Sequence, residues 1–252
     1  MKRSLSTSLA LGALTAGLLI PLVGSAQQKG GQDTETLAIT GQVTGNLSFT
    51  TDYRFRGLSR TFGDPALQGG VDFSLPSNFY IGAWASMVDK EIFADSRGYE
   101  LDLYGGYKRQ LGQGLLLDVG LLQYLFPSQS EFSTLEAYAG LGYRWISFKY
   151  YYTFSNEYFG AGNAKGTQYL DLGATYPLGN GLNVVGHLGF LRGESGARDY
   201  TDWRVGITKD WRGFIFGASY VDMDSDFEFT NRAGRTRDLG DGGFLLTVSW
   251  QF

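Results

Sequence analysis

The sequence predicts an all-β fold, a membrane-spanning antiparallel barrel of about twelve strands, on three observations. Apolar and polar residues alternate with period two along segment after segment, which marks strands with one greasy and one wet face. The connections between these segments alternate between short and long. The chain stops on Trp250-Gln251-Phe252, an alternating strand closed by an aromatic residue. A secreted sandwich also alternates, because its strands have a core face and a solvent face. Strand length, the strict alternation of loop length and the terminal Phe252 favour the barrel.

Composition agrees. The 252 residues are 43% hydrophobic and 15% aromatic, with 37 glycines against five prolines, a balance suited to many strands and tight turns. The net charge of −4 is mild and nothing in the composition suggests nucleic acid, which calls for a basic patch. There is no cysteine, so neither a disulfide nor a lipidated N-terminal cysteine holds the chain. Residues 1–26 read as a Sec-type signal peptide. Lys2 and Arg3 supply the charged start, the stretch from Leu9 to Val23 the apolar run, and Gly24-Ser25-Ala26 the small residues before cleavage. Pro21 and Gly24 interrupt the run short of the roughly 20 residues of a spanning helix. Residues 27–45, rich in Gln, Gly and Thr, read as a flexible periplasmic segment that contributes at most the start of the first strand. Residues 46–252 form the barrel.

The first segment, 47–59, sets Leu47, Phe49, Thr51, Tyr53, Phe55 and Gly57 against Ser48, Thr50, Asp52, Arg54 and Arg56. Read as one strand, it is long enough for a tilted crossing, which takes roughly 9–11 residues. Segments 67–75, 79–87, 99–109, 115–125 and 134–143 keep their apolar residues at odd numbers, as in Leu67, Val71 and Phe73 or Leu115, Leu117 and Val119. The parity then switches. Segments 146–154, 169–176, 182–190, 202–208, 214–220 and 244–252 place Ile146, Phe148, Leu170, Leu172, Val184, Leu188, Trp203, Val205, Phe214, Phe216, Leu246 and Val248 on the apolar face. Short turns fall at 76–78, 110–114, 144–145, 178–181 and 210–213. Long loops fall at 60–65, 88–98, 126–132, 156–166, 192–199 and 222–242. This is the asymmetry of periplasmic turns and extracellular loops. Two aromatic girdles follow. Tyr107, Tyr143, Trp145, Tyr176, Trp211 and Trp250 lie toward the short turns; Tyr53, Phe55, Tyr99, Phe154, Phe190, Trp203 and Tyr220 lie toward the loops.

The same parity sends Asp52, Arg54, Arg56, Asp72, Glu100, Asp102, Lys108, Asp118, Glu136, Lys149, Asp171, His187, Asp202 and Arg204 inward, with Trp84, Tyr104, Tyr124, Tyr138 and Tyr169 narrowing the space. Charges in a barrel interior must meet water or each other. They predict either a mixed-charge pore that screens small solutes or a paired network that braces a closed barrel. Twelve strands fall between the packed interior of eight and the open channel of sixteen to eighteen, so both readings stand. The inward acids outnumber the bases, which predicts a weak cation preference.

Nothing in the sequence builds a catalytic centre, so no enzyme activity, cofactor or metal is expected. His187 is the only histidine and reads as a lumen-lining polar side chain. Asp222-Met223-Asp224-Ser225-Asp226 opens like a calcium-binding loop, but Phe227 stands where glycine is required and Ala233 where the closing glutamate is required. The glycine-rich stretch 160–166 lacks the Gly-Lys-Ser/Thr ending of a phosphate cradle and reads as a mobile loop. Arg232, Arg235 and Arg237 in the longest loop are candidates for contact with lipopolysaccharide, and Phe252 for recognition by the outer-membrane assembly machinery.

One run, Thr51-Asp52-Tyr53-Arg54-Phe55-Arg56-Gly57-Leu58-Ser59, continues through Gly63-Asp64-Pro65-Ala66-Leu67-Gln68-Gly69-Gly70. With Phe79-Tyr80-Ile81-Gly82-Ala83-Trp84-Ala85-Ser86, Glu100-Leu101-Asp102-Leu103-Tyr104-Gly105-Gly106-Tyr107 and Asp118-Val119-Gly120, it resembles the TorF-type porin family, also known as the Gcw_chp conserved bacterial family. The resemblance is specific over residues 51–120 and looser beyond. It implies an outer-membrane porin-like protein without catalytic residues. The expected function is passive diffusion of small hydrophilic solutes; the alternative is a closed barrel that acts through its extracellular loops on a partner or on the membrane.

Overall fold

The computed structural model describes residues 41–93, 97–127 and 129–252. The signal peptide expected at 1–26, and the leader up to residue 40, lie outside them. Sixteen strands follow one another: β1 (Gln42–Thr50), β2 (Arg54–Phe55), β3 (Leu58–Ser59), β4 (Ala66–Ser74), β5 (Phe79–Met87), β6 (Tyr99–Leu111), β7 (Leu115–Leu125), β8 (Thr134–Tyr143), β9 (Ile146–Thr153), β10 (Gln168–Gly179), β11 (Leu182–Arg192), β12 (Tyr200–Trp211), β13 (Phe214–Met223), β14 (Glu228–Thr230), β15 (Thr236–Asp238) and β16 (Gly243–Gln251). Twelve of them close into one antiparallel barrel, as expected. The remaining four form two hairpins, β2–β3 and β14–β15, that are not part of the barrel wall.

Closure is made by the ends of the chain. β1 pairs with β4 on one side and with β16 on the other, Leu47 opposite Trp250 and Thr50 opposite Thr247. Gly45 and Phe252 exchange both backbone hydrogen bonds, at 2.8 and 3.0 Å. No wall strand is left with an unpaired edge, which a lipid environment demands because it offers backbone groups no partner. The short connections are tight. Asn180-Gly181 and Arg212-Gly213 each join two strands through paired left-handed residues, the mirror-image turn that matches strand twist.

The faces follow the predicted parity. Leu67, Val71, Phe79, Ile81, Leu121, Leu141, Phe148, Val205, Ile207 and Leu246 are exposed on the outer wall, where a water-soluble fold would not leave them. Tyr143, Trp145, Tyr176, Trp211 and Trp250 are exposed toward the short-turn end, and Tyr99, Phe154, Phe190 and Trp203 toward the long-loop end. The large buried side chains are inside: Trp84, Tyr104, Tyr124, Tyr138 and Tyr169 all point into the lumen as expected.

One element departs from the expectation, and it is the most informative. Residues 47–59 are not a single strand. β1 ends at Thr50, and the chain then folds into the barrel as the hairpin β2–β3. Tyr53 and Phe55, assigned above to the outer girdle, are only 3% and 7% exposed and pack edge-on against Trp84 and Tyr124. The turn residues explain the break. Arg56 (φ +49°) and Gly57 (φ +85°) are both left-handed, so the chain reverses there. Alternation across such a turn mimics a strand but cannot propagate one.

Candidate functional site in the lumen

The inward-folded segment 51–65 is a plug, and three arginines fasten it at three points. Arg54 Nε lies 2.6 Å from Asp52 Oδ2, while Arg54 Nη1 donates to the carbonyls of Gly57 (3.1 Å), Leu239 (3.1 Å) and Asp241 (2.8 Å). Asp52 is further satisfied by the hydroxyls of Ser59 (2.6 Å) and Thr61 (2.8 Å). The hairpin is thereby closed on itself and tied to the chain just before β16. Arg56, at the tip, reaches the opposite wall. Its Nη1 and Nη2 form a two-pronged pair with Glu136 Oε1 and Oε2 at 2.8 and 2.7 Å, and Nη1 also donates to the Tyr158 hydroxyl at 2.9 Å. The guanidinium lies 4.3 Å above the Tyr169 ring. Arg60 pairs with Glu100 on β6 and is caged by Phe55 and Phe159, with centroids at 3.7 and 4.3 Å. Burial raises the Tyr158 hydroxyl from 10.0 to about 12, an effect that Arg56 opposes and Glu136 reinforces.

The other predicted lumen residues fall into two groups on the wall. Toward the short turns, Asp118 accepts from the Tyr80 hydroxyl (2.6 Å) and faces Lys149 Nζ (3.1 Å), whose ammonium lies over the Tyr138 ring. Beside them Tyr104 donates to Asp72 (2.6 Å), and Lys108 lies 5.6 Å from the Tyr80 ring. Beneath the plug tip, His187 Nε2 is 2.9 Å from Asp202, and its Nδ1 is 3.3 Å from Asp171, a close contact without hydrogen-bond geometry. Tyr169 donates to Asp202 at 2.8 Å. These groups, Asp102 and Arg204 border a small chamber of about 40 Å³. Asp102 Oδ1 and Glu100 Oε2 have no hydrogen-bond partner among the described residues, so the interior retains buried acceptor capacity.

The expected residues are therefore all inside the barrel, but by two routes. The wall residues arrive through strand parity, whereas Asp52, Arg54 and Arg56 arrive on the plug. Arg60 was missed. It lies in what read as the first long loop, where period two has nothing to report. Above the plug, loop residues together with the plug line a second, larger, open cavity of about 380 Å³. The whole arrangement opposes carboxylates and guanidiniums across a narrow lumen, which can orient and select polar solutes by charge.

Comparison with known proteins bears on the fold and the family. The family described as "Bacterial protein of unknown function (Gcw_chp)" matches residues 36–252. No curated protein matches the chain. Among solved structures, the KdgM porin superposes with a TM-score of 0.54 at 9% identity, covering 83% of this chain and 99% of its own. The NanC porin superposes with a TM-score of 0.53 at 8% identity, covering 84% and 99%. At such identities the likeness is one of fold, a porin-type barrel.

Proposed function

This chain belongs to the Gcw_chp family, and for it we propose an outer-membrane channel that passes small hydrophilic solutes through a lumen narrowed by its own segment 51–65. The observation that carries the reading is the opposition of charges inside a greasy wall. Glu100, Asp102, Glu136, Asp171 and Asp202 are buried inside the barrel with Arg54, Arg56 and Arg60, and Arg204 borders the same chamber as Asp102, Asp171 and Asp202. An interior meant only to be filled has no need of so many ions, because burying them costs more than burying apolar side chains of equal size. The porin label carried by the TorF resemblance agrees. In this reading Asp52, Asp72, Asp118, Lys149 and His187 act with these residues as selectivity groups, and the acid excess favours cations.

The remaining expectations belong to the same proposal. The signal peptide 1–26 exports the chain, the assembly machinery recognises Phe252, and Arg232, Arg235 and Arg237 meet lipopolysaccharide at the long-loop end, taken as extracellular.

A closed barrel is the second reading, favoured by the near-complete burial of Arg56, Arg60, Glu100 and Glu136 in paired contacts. Planar-bilayer recording from refolded protein separates the two. The channel reading expects small, discrete current steps that grow when residues 52–64 are replaced by a glycine-serine linker. Silence from the native chain, with steps only from the linker variant, would assign the native state to the closed barrel. Reversal potentials favouring anions would refute the cation preference.

A further inference from the structure

The cavity of about 380 Å³ above the plug differs in kind from the lumen below it. Its volume lies in the roughly 300–1,000 Å³ range of small-molecule sites. Its floor is Phe55 and Phe159, packed edge-on at 5.2 Å around the caged Arg60. Its walls include Phe93, Phe132 and Phe227, held by contacts of 5.5 Å between Phe93 and Phe132 and 5.6 Å between Tyr200 and Phe227. Phe132, Phe159 and Phe227 line the cavity and stay half-buried. Hydrated loops have no reason to gather apolar rings into a concave surface unless something apolar lies against it.

The charge of the lining narrows the occupant. Among the described residues no carboxylate borders the cavity, although the chain as a whole is acidic. Two guanidiniums do. Arg60 is engaged by Glu100, but Arg198 stands exposed at the rim, 5.4 Å over the Phe227 ring, with one hydrogen bond to the Asp226 carbonyl at 3.2 Å. A flat apolar body would lie against the rings, and an anionic group on it would reach Arg198. We propose that this vestibule is a binding site for small aromatic organic anions. The site is independent of the passage proposed above, since binding there requires no transport.

The test uses the full mature chain in lipid nanodiscs, with empty nanodiscs as the blank. The probes are the anionic dye 1-anilinonaphthalene-8-sulfonate and the uncharged dye N-phenyl-1-naphthylamine. The expected result is saturable one-site fluorescence enhancement. Arg198→Ala should weaken the sulfonate about tenfold, the loss of one charge-assisted contact, and leave the uncharged dye nearly unchanged. Ala161→Trp and Ala197→Trp, which fill the cavity from two different loops, should each abolish binding of both dyes while the barrel keeps its β circular dichroism. Non-saturable binding, or binding that survives both tryptophans, would overturn the site. Equal losses of both dyes in Arg198→Ala would overturn the preference for anions. Currents from the tryptophan variants are read separately, so failure of this site and failure of the channel are distinguishable.

Discussion

Removing Arg56 should unlock the plug. In Arg56→Ala, Glu136 keeps its buried place on β8 but loses two short charge-assisted contacts of 2.7 and 2.8 Å. What remains to it are hydroxyl donors at longer range, Tyr124 at 3.2 Å and Thr153 at 3.4 Å. Leaving one partner of a buried pair uncompensated costs about 3–5 kcal/mol. That cost falls on the inward position of segment 51–65, because the barrel wall does not depend on Arg56. At about 1.4 kcal/mol per factor of ten, the released position gains roughly a hundred- to several-thousand-fold in population. Two assays read it. Amide hydrogen exchange of residues 52–64 should accelerate by that order, while exchange in β6–β8 should not change. Single-channel recording should show larger or longer openings than the native chain. Arg56→Lys retains a charge but not the two-pronged geometry and should fall between. Arg56→Met combined with Glu136→Met removes the stranded charge and should recover much of the native protection. If Arg56→Ala leaves both exchange and current unchanged, the pair does not hold the plug and the mechanism fails.

Four further outcomes follow from the same geometry. Gly57→Ala forces a Cβ into a left-handed position and to 2.8 Å from Asp202 Cβ; it should loosen the hairpin by about 1–2 kcal/mol, and unaltered exchange of the plug amides would contradict the turn assignment. Val205→Arg, mid-strand on the outer wall, should cost about 2–4 kcal/mol of folding stability in lipid, against about 0–1 for Trp211→Arg at the strand end; equal costs in urea titrations would mean that Val205 does not face hydrocarbon. Lys149→Met removes the ammonium 3.1 Å from Asp118 and leaves the lumen one positive charge poorer, so reversal potentials should move toward cations; an unmoved potential would take Lys149 off the solute path. Tyr158 ionises near 12 instead of 10.0, so the stability it contributes is complete below pH 10 and is lost as pH rises through about 12; Tyr158→Phe should flatten that decline, and a native chain whose stability is level between pH 10 and 12 would refute it.

How much of this was legible beforehand depends on how far each residue is from what decides its position. The wall was legible beyond its first strand, which runs from Gln42 to Thr50 instead of from Leu47 to Ser59. Whether Leu67 or Gln68 faces outward is settled by the residues beside it and by the medium on each side of the sheet. The closure of β1 on β16, the asymmetry of loops and turns, and most of both girdles follow from that local rule. The wall members of the lumen site, from Asp72 on β4 to Arg204 on β12, were legible for the same reason.

The plug was not. Thr51 to Ser59 continues the alternation of β1, and nothing within that stretch distinguishes a longer strand from a hairpin except Arg56-Gly57, a two-residue turn signal that period two passes over. What draws the segment inward lies far along the chain. Glu136, which receives Arg56, is 80 residues away, and the Leu239 carbonyl, which receives Arg54, is 185 away. Those partners become neighbours only once the barrel has closed around them. The sequence alone therefore determined a sheet with an oily outside and a charged inside. Only the tertiary structure decided how much of that inside is filled, because pairing buried charges is a property of the assembled ring and not of any one strand.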